Sequence, residues 1–251
     1  MNISMKILKN KNQKVSVLIA NYNNEKYIDT CINSLKKQTY KNLEIIFFDD
    51  QSNDNSLKKV KKFKNVNIVQ SFKKKSIYGS INQINSYVQA FKKSKGKIIL
   101  FLDSDDFFYK NKIEKIVKFF EKNRKQKIVF DLPTLIKNKK KIKIKPKEKF
   151  VKTYWPYIPN QSCIAIKREI FNRMISKILV NKFYDIWLDF RITIYSIYIL
   201  KQFNLLNQNL TYYRKVENSA SYKFQHLNQN WWRRRSQAHS YIKSFFYKNK
   251  I

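Results

Sequence analysis

The first half of the chain alternates between short apolar runs and segments whose apolar residues recur every three or four positions. Short β-branched runs are typical of buried strands, and the second pattern is typical of helices packed on a sheet. The predicted strands are Val15–Ala20, Leu43–Phe48, Val66–Val69 and Lys97–Leu102. Four helices are predicted. Apolar residues mark three of them: Ile28, Cys31, Ile32 and Leu35 in the first, Ile84, Val88 and Phe91 in the third, and Ile113, Ile116, Val117 and Phe120 in the fourth. The second is a charged segment that runs through about Phe63. This order predicts an α/β fold with a mostly parallel central sheet flanked by helices.

The second half of the chain is less regular and more highly charged. Lys137–Lys149 holds too many lysines for a core and predicts an exposed hairpin in which Ile142 and Ile144 alternate with lysines. In the first half, Gly96 stands just before the fourth predicted strand and is expected to end the helix that contains Ile84, Val88 and Phe91. The remaining predictions are a stiff aromatic loop at Trp155–Pro159, helices at Lys167–Ser176 and Asp185–Leu200, a strand or loop at Thr211–Arg214, and a basic, aromatic tail from about Lys215.

Polar residues directly follow three of the four predicted strands. They are Asn21-Tyr22, Asp49-Asp50 and Asp103–Asp106. In parallel sheets ligands bind at the carboxyl ends of the strands, so these segments are expected to meet in one crevice. Crowded carboxylates repel one another unless a cation lies between them, and oxygen ligands on a short loop suit Mg²⁺ or Mn²⁺ shared with a substrate phosphate. An acidic turn that caps the next helix is the alternative interpretation of the third segment.

Composition narrows the class of protein. The 251 residues carry a formal net charge of +36, and 43% of them are hydrophobic, which is enough for a packed domain. The charge indicates a polyanionic partner or, alternatively, the codon bias of an A+T-rich genome. Cys31 and Cys163 lie far apart without metal-ligand spacing, which indicates free thiols in a reducing compartment. We find no signal peptide and no apolar stretch long enough to span a membrane, and we therefore expect a cytoplasmic protein.

Three motifs occur in a fixed order, namely VSVLIANYNN, LEIIFFDDQSNDNS and KGKIILFLDSDD. In this order and at these separations they resemble the family 2 glycosyltransferases of the GT-A fold, over roughly residues 14–110 and more weakly to about residue 220. The resemblance implies a single Rossmann-like GT-A domain with a less regular acceptor-binding half. It also implies an inverting transfer of a sugar from a nucleotide-diphosphate donor, with Mg²⁺ or Mn²⁺ as cofactor.

The same resemblance assigns roles to residues of the first half. Ala20 and Tyr22 would line the nucleobase pocket, Tyr22 by stacking, and Asp50 would accept a hydrogen bond from the base. Asp103 would face the ribose or the sugar. Tyr22 could also be an ordinary core aromatic, and Asp50 a helix cap, although Asp49 is the better candidate for the structural role. The metal ligands would be Asp105 and Asp106.

Two further roles fall in the second half of the chain. The segment Trp187–Arg191 resembles the one that supplies the family's general base, which would be Asp189. The alternative is that Asp189 is a helix-surface acid paired with Arg191 or Lys182. Arg214 would contact the diphosphate, because Tyr213-Arg214 followed by Asn218–Ser221 resembles the segment that closes over the diphosphate.

These assignments divide the chain into three parts. They are a nucleotide-sugar-binding half (1–110), an acceptor-binding half (111–214) and the basic tail (215–251). The expected partners are a nucleotide-diphospho-sugar donor, with uracil expected as the base and thymine or guanine as alternatives, and a glycan or lipid-linked acceptor. The tail contains Trp231, Trp232 and Arg233–Arg235, which suit an anionic membrane surface at the inner face of the cell membrane. The alternatives are a tail that packs on its own domain and a solvated basic helix.

Other functions account for parts of the sequence less well. A nucleic-acid-binding protein would explain the charge, but the aromatic residues do not alternate with lysines in a repeating pattern and no nucleic-acid-binding signature is present. A nucleotidyltransferase would need a Gly-rich phosphate loop after the first strand, whereas the chain has only Gly79 and Gly96. An inactive relative that serves as a scaffold would not need the retained acids. We therefore expect an enzyme with no nucleic-acid partner.

Overall fold

The computed structural model of the protein describes residues 13–72, 74–138, 140–145, 158–180, 182–216 and 223–247. These residues contain nine strands, which form one sheet. The strands are β1 (Val15–Asn21), β2 (Leu43–Asp49), β3 (Val66–Gln70), β4 (Ile98–Asp103), β5 (Phe107–Phe108), β6 (Ile128–Lys137), β7 (Lys140–Lys143), β8 (Ile164–Lys167) and β9 (Leu205–Arg214).

Seven α-helices accompany the sheet within the same described ranges. They are α1 (Ile28–Lys36), α2 (Ser56–Val60), α3 (Gly79–Lys93), α4 (Lys112–Lys122), α5 (Arg168–Ile178), α6 (Leu188–Tyr198) and α7 (Gln229–Tyr247). A single 3₁₀ turn at Gln161–Cys163 leads into β8.

The sheet combines a parallel half with a mixed half, in the strand order β3-β2-β1-β4-β8-β6-β9-β5, with β7 paired to β6. Within the mixed half, β6 and β9 run parallel to each other. The first four strands of this order are parallel, and β8 runs antiparallel to both β4 and β6. In the register of the parallel half, Ala20 lies opposite both Phe48 and Asp103, and Asn21 lies opposite Asp49. The carboxyl ends of β1, β2 and β4 therefore lie side by side, as predicted.

Helices cover both faces of the sheet, because the strands carry apolar side chains on both sides. One face packs against α1, α2 and α4 through a cluster that includes Cys31, Val60 and Ile116. The other face packs against α3, α5 and α6 through a cluster that includes Tyr87 and Phe171. The predicted α/β architecture is thus confirmed, and both cysteines are buried free thiols, as expected.

The predicted elements of the first half agree with the structure except for two helix ends. Helix α2 ends at Val60 and not near Phe63. Helix α3 ends at Lys93 with Ser94 as its C-cap, so the prediction that Gly96 ends this helix was wrong. A β-carbon on Gly96 would lie 2.5 Å from the main-chain nitrogen of Ser16. Gly96 is therefore required by a close approach of two backbones.

The second half contains strands that the pattern did not predict, namely β6 and β8. Lys137–Lys149 was predicted to form the whole hairpin, but it supplies only the second strand, β7, which pairs with the largely buried β6. All four residues of β7 are exposed, as predicted. Helix α6 begins at Leu188, so Asp185 lies in the preceding loop and not in the helix. Residues 146–149 of the predicted hairpin segment and 155–157 of the predicted aromatic loop lie outside the described residues.

Within the basic tail, residues Gln229–Tyr247 form helix α7, which packs on the rest of the domain. Ala238, Tyr241 and Ile242 of α7 are buried against Phe183 and Phe190, next to the start of α6. The outward side of the helix carries the exposed Trp232. The interpretation that the tail packs on its own domain is confirmed for this part of the tail. Among the described residues, no helix is long and apolar enough to cross a membrane.

Candidate active site

The end of β1 and the turn after β2 are joined by hydrogen bonds around Asp49. The Asp49 carboxylate is buried and accepts hydrogen bonds from Asn21 Nδ2 (2.8 Å), Ser52 Oγ (2.6 Å) and the Ser52 main-chain nitrogen (3.0 Å). Gln51 in this turn has a φ of 56°, in the left-handed region that is sparsely populated by residues other than glycine. The structural role predicted for Asp49 is confirmed, and the neighbouring Asp50 remains available to a ligand.

Tyr22, Asp50 and Lys75 form a polar pocket beside this turn. The Tyr22 ring is 52% exposed, and it is therefore not a core aromatic. Lys75 Nζ lies 3.4 Å from the centroid of that ring and 4.0 Å from Asp50 Oδ2. Burial raises the pKa of Asp50, an effect that the Lys75 charge opposes and that Asp49 reinforces. Ala20, at the end of β1, is half-buried next to these residues.

Lys75 is a residue of this pocket that the sequence did not single out. It belongs to a run of lysines, Lys73–Lys75, and such a run is typical of a solvated surface. The structure places Lys75 in the site through its position over the Tyr22 ring and its contact with Asp50. The flat, partly exposed ring and the adjacent carboxylate suit a planar ligand with an N–H group, such as a nucleobase.

Asp103 ends β4 and is held in place by two residues of α3. Its Oδ1 accepts hydrogen bonds from Tyr87 Oη (2.8 Å) and Gln83 Nε2 (3.1 Å). Burial, followed by the nearby charge of Asp105, raises the pKa of Asp103 to about 7, and the charge of Asp189 adds to the shift. The charge of Asp189 therefore acts on the end of β4, although 86 positions separate the two residues in sequence.

Asp106 anchors the acidic loop to β9 and to the 3₁₀ turn. Its Oδ1 accepts a hydrogen bond from the Arg214 main-chain nitrogen (2.9 Å), and its Oδ2 accepts one from Ser162 Oγ (2.6 Å). Burial is the largest cause of a strongly raised pKa at Asp106. Because both carboxylate oxygens are used in this way, the contacts indicate an anchoring role for Asp106. Its predicted role as a metal ligand stays a prediction.

Asp105 is the half-buried acid between these two. Burial raises its pKa, and the charge of Arg214 opposes this effect. Mg²⁺ and Mn²⁺ are commonly held by one or two carboxylates together with substrate phosphates, and an acid in this position fits such a minimal donor set. Within the described ranges no group of three or more His, Cys, Asp and Glu side chains could hold a metal ion without a substrate.

Arg214 brings a cation to the acidic loop. Its Nη1 donates a hydrogen bond to the main-chain oxygen of Asp105 (2.6 Å), and its guanidinium carbon lies 4.7 Å from the Phe107 ring centroid and 4.9 Å from that of Tyr27. Arg214 also lines a cleft of about 390 Å³ together with Lys26 and Lys215. The cationic wall of this cleft suits a phosphate group. Asn218–Ser221, which were expected to follow in the same segment, lie outside the described residues.

A buried ion pair holds the 3₁₀ turn that contacts the acidic loop. Lys112 Nζ and Asp131 Oδ2 are 2.6 Å apart and have no exposed surface. Lys112 also donates to the main-chain oxygen of Ser162 (2.6 Å) and to Thr211 Oγ1 (2.6 Å). The Ser162 hydroxyl in turn accepts a hydrogen bond from the Asp103 main-chain nitrogen (3.0 Å) and donates to Asp106. The pair thus fixes the turn that holds the ends of β4 and β9 together.

Asp189 lies in the first turn of α6 and is half-buried. Its Oδ1 accepts a hydrogen bond from the Phe190 main-chain nitrogen (2.7 Å), as is usual for an acid at a helix start. Burial raises the pKa of Asp189, and the charge of Arg234 in α7 is the leading opposing effect. Arg191 is fully buried, and its guanidinium donates to the main-chain oxygens of Ile178, Val180, Phe183 and Ile186. Arg191 thus stabilises the loop before α6 and is not the surface partner of Asp189.

Tyr213, next to Arg214 in β9, lies near the same acids. Burial raises its pKa, and the charges of Asp106, Asp105, Asp103 and Asp189 add to this effect. The crevice therefore has Tyr22 and Asp50 at one end and the acidic loop with Arg214 in the middle, and Asp189 of α6 lies near enough for its charge to raise the pKa of Asp103. This arrangement can bind a planar base and a diphosphate, and it can accept a proton.

The family of the chain follows from a comparison with family models. The model described as glycosyl transferase family 2 matches residues 16–175, so the chain belongs to that family. An uncharacterised glycosyltransferase of Nostoc sp. is 29% identical over 214 residues, which cover 80% of this chain and 64% of the relative. The Escherichia coli protein WfaP, named as a UDP-Glc:alpha-D-GlcNAc-diphosphoundecaprenol beta-1,3-glucosyltransferase, is 38% identical over 107 residues, or 43% of this chain and 41% of WfaP. The chain thus spans less than two thirds of the length of these relatives.

Solved structures confirm the fold. The crystal structure of Staphylococcus aureus TarS residues 1–349 in complex with UDP-GlcNAc matches with a TM-score of 0.62 and 20% sequence identity. The match covers 82% of this chain and 60% of that chain. At this identity the likeness establishes the shared α/β fold, with its mixed, mostly parallel sheet flanked by helices, and it leaves the substrate open.

Proposed function

We propose that this protein is an inverting hexosyltransferase that moves a sugar from a UDP-sugar to a hydroxyl group of a lipid-linked glycan. The observation that carries the proposal is the position of Asp103 and Asp105 at the end of β4 beside Arg214, with Asp189 near enough for its charge to raise the pKa of Asp103. Family membership supports the reaction class. The name of WfaP, which includes both UDP-Glc and a diphosphoundecaprenol-linked acceptor, supports the donor and the acceptor class.

The donor would lie along the carboxyl ends of β2, β1 and β4. Tyr22 would stack on the uracil ring, next to Ala20, and Asp50 would accept the hydrogen bond of the ring N–H. Lys75 now lies over the Tyr22 ring and would move aside or pack at the edge of the base. Asp103, fixed by Gln83 and Tyr87, would accept hydrogen bonds from the ribose or sugar hydroxyls.

Sugar transfer develops negative charge on the departing diphosphate and positive charge on the sugar ring. Arg214 would stabilise the diphosphate by hydrogen bonds. A divalent cation held by Asp105, with Asp106 at its side, would supply further charge stabilisation to the same leaving group. Asp189 would take the proton of the attacking hydroxyl on the opposite face of the sugar. One carboxylate is sufficient, because inversion involves no covalent intermediate with the protein.

We also propose that the protein acts in polysaccharide biosynthesis at the cytoplasmic face of a membrane. A lipid-linked acceptor presents its reacting hydroxyl close to the bilayer surface. The outward side of α7 carries the exposed Trp232, an interfacial aromatic, on a chain whose net charge is +36. This combination suits an anionic membrane surface.

A thermal-shift panel tests the donor site. UDP and UDP-glucose with Mn²⁺ should raise the melting temperature more than the corresponding guanosine or thymidine compounds, because bound ligand stabilises the folded state. The increase should depend on Mn²⁺ and should be lost in Asp105→Ala. The Lys118→Met variant is a matched control, since Lys118 lies on the exposed side of α4. Equal shifts with all nucleotides, or with none, would contradict the proposed donor.

A transfer assay with a lipid-linked acceptor tests the general base. Asp189→Asn should retain the shift with UDP but lose at least about a hundredfold in turnover, because general-base catalysis typically contributes that much or more. Normal turnover by this variant would show that another group accepts the proton.

A further inference from the structure

The loop between β3 and α3 exposes two large apolar side chains at the carboxyl edge of the sheet. Phe72 is 90% exposed and Ile77 is 89% exposed, the highest values among the large hydrophobic residues described. Single exposed apolar residues are common on protein surfaces. Two almost fully exposed residues within six positions, on a loop that also contains Lys74 and Lys75, form a pattern that solvation does not account for.

This loop is in contact with the loop before α6, and through it with α7. The ring of Tyr78, which follows Ile77, stacks on that of Tyr184 with a centroid distance of 4.1 Å. The guanidinium carbon of Arg233 lies 5.8 Å from the Tyr184 ring centroid. Arg233 follows Trp232, which is 57% exposed. Exposed apolar residues from two distant parts of the chain therefore lie on adjoining segments of the surface.

We call this surface the rim and define it as Phe72, Lys74, Ile77 and Trp232. The rim lies next to the crevice, because Lys75 of the same loop contacts Tyr22 and Asp50, and the loop also contacts the segment that leads into α6. Ser80 Oγ, near the start of α3, donates a hydrogen bond to the main-chain oxygen of Tyr184, four positions before Leu188 begins α6. Asp189 follows in the first turn of that helix.

Charge identifies the chemistry of the partner. The chain carries a net charge of +36, so it is attracted to any anionic surface. Exposed apolar residues combined with Lys and Arg are the composition of segments that lie in the interface of an anionic bilayer, where the apolar groups insert and the cations contact the headgroups.

We infer that the rim, with the β3–α3 loop as its principal element, binds the surface of an anionic lipid bilayer. The inference deepens the proposed function, on which it rests, since it states which surface brings the crevice to a lipid-linked acceptor. It also assigns the main membrane contact to Phe72 and Ile77 of the loop, with Trp232 of α7 as the second contact. Lipid binding by itself requires no turnover, and the two proposals can therefore be tested separately.

Flotation of the full chain with lipid vesicles tests the rim. The vesicles contain phosphatidylglycerol and phosphatidylcholine, or phosphatidylcholine alone. The Phe72→Ser/Ile77→Ser variant should bind the anionic vesicles at least about tenfold more weakly, because both apolar insertions are lost. Trp232→Ser should cause a smaller loss. The matched control is Ile142→Ser, because Ile142 is 49% exposed on β7, which pairs with β6 toward the opposite edge of the sheet.

Each outcome decides the inference. The inference is supported if the parent and the control variant float with anionic vesicles and the double variant does not. All three proteins should then also show normal thermal shifts with UDP. Equal flotation of the double variant, equal binding to vesicles without phosphatidylglycerol, or no flotation of the parent overturns it. Concentration-dependent self-association that the double variant loses, without vesicle binding, would identify the rim as a contact between two copies of the chain. If UDP causes no shift but flotation follows the expected pattern, the proposed function fails while the rim stands.

Discussion

The acids of the crevice differ in the groups that surround each of them. Asp49 and Asp106 are buried and use both carboxylate oxygens on hydrogen-bond donors of the protein. Asp50 and Asp189 are half-buried, and each has a cation as the leading opposing influence on a raised pKa. This difference separates the acids that hold the backbone from those that are available to a substrate. Asp189 is the only one of these four that comes from a helix start.

The pH dependence of turnover should report the environment of Asp189. A general base must be deprotonated, so kcat/KM should fall as the pH falls through the raised pKa of Asp189, above the value of about 3.9 for a free Asp. Arg234→Met removes the cation that favours the carboxylate, and it should raise that pKa further. The acidic limb of the kcat/KM profile should therefore shift to higher pH in this variant, and steady-state rates across a pH series measure it.

Lys243→Met is the control for this shift. Lys243 lies on the exposed side of the same helix, and its substitution changes the net charge by the same amount. The acidic limb should stay in place in Lys243→Met. A limb that does not move in Arg234→Met, or that moves to lower pH, would contradict the assignment of Asp189 as the base.

Local patterns predicted the elements of the parallel half well. Its strands are short apolar runs, and apolar residues recur every three or four positions in most of its helices. Strands β6 and β8 were missed for identifiable reasons. Strand β6 contains Asp131 and Pro133, both of which are disfavoured inside strands, and β8 has only four residues. Asp131 is tolerated there because Lys112 neutralises it.

The support beneath the acidic loop could not be predicted from sequence. The hydrogen bonds that link Lys112 to Ser162 and to Thr211 span 50 and 99 positions, and no local pattern carries such information. The acids at the strand ends could be predicted, since Asp50 and Asp103–Asp106 stand at or directly after strands, whereas Asp189 was proposed only from the resemblance to the family. Sequence therefore indicates which carboxylates enter the crevice, whereas the groups that fix their positions are visible only in three dimensions.

Stability measurements should show the importance of this support. Lys112→Met should lower the free energy of unfolding by about 3–5 kcal/mol, because it leaves the Asp131 carboxylate buried without a counter-charge. The Lys112→Met/Asp131→Asn variant should recover about half of this loss or more, because no buried charge remains. Urea unfolding of the three proteins measures both effects.

The matched control for this pair is the ion pair of Lys118 and Glu114 on the exposed side of α4, with an Nζ–Oε1 distance of 2.6 Å. Lys118→Met should change the free energy of unfolding by less than about 0.5 kcal/mol, since exposed pairs contribute little. A change of similar size in Lys112→Met would mean that the buried pair does not stabilise the fold.

The whole molecule combines a conventional α/β core with an extreme charge. Helix α7 completes the core beside α6, so the basic tail is partly a structural element. Removing it would uncover Phe183 and Phe190, and single substitutions on its outward side are therefore the better test of its surface role. The exposed lysines of β7 make no comparable contribution to the core. Exposed positive charges such as these affect the stability of the fold mainly through long-range repulsion between like charges.

Salt should accordingly stabilise this protein. With a net charge of +36, repulsion between like charges opposes the compact state, and salt screens it over a Debye length that falls from about 30 Å at 0.01 M to about 8 Å at 0.15 M. The melting temperature should therefore rise with sodium chloride across this range. Sulfate should be avoided, because it also strengthens the burial of apolar surface.

Lys140→Glu/Lys143→Glu, on the exposed strand β7, makes the chain four units less positive and should reduce the salt dependence while the fold is retained. A melting temperature that is constant or falls with salt in the parent protein would show that the positive charges are already compensated by local contacts.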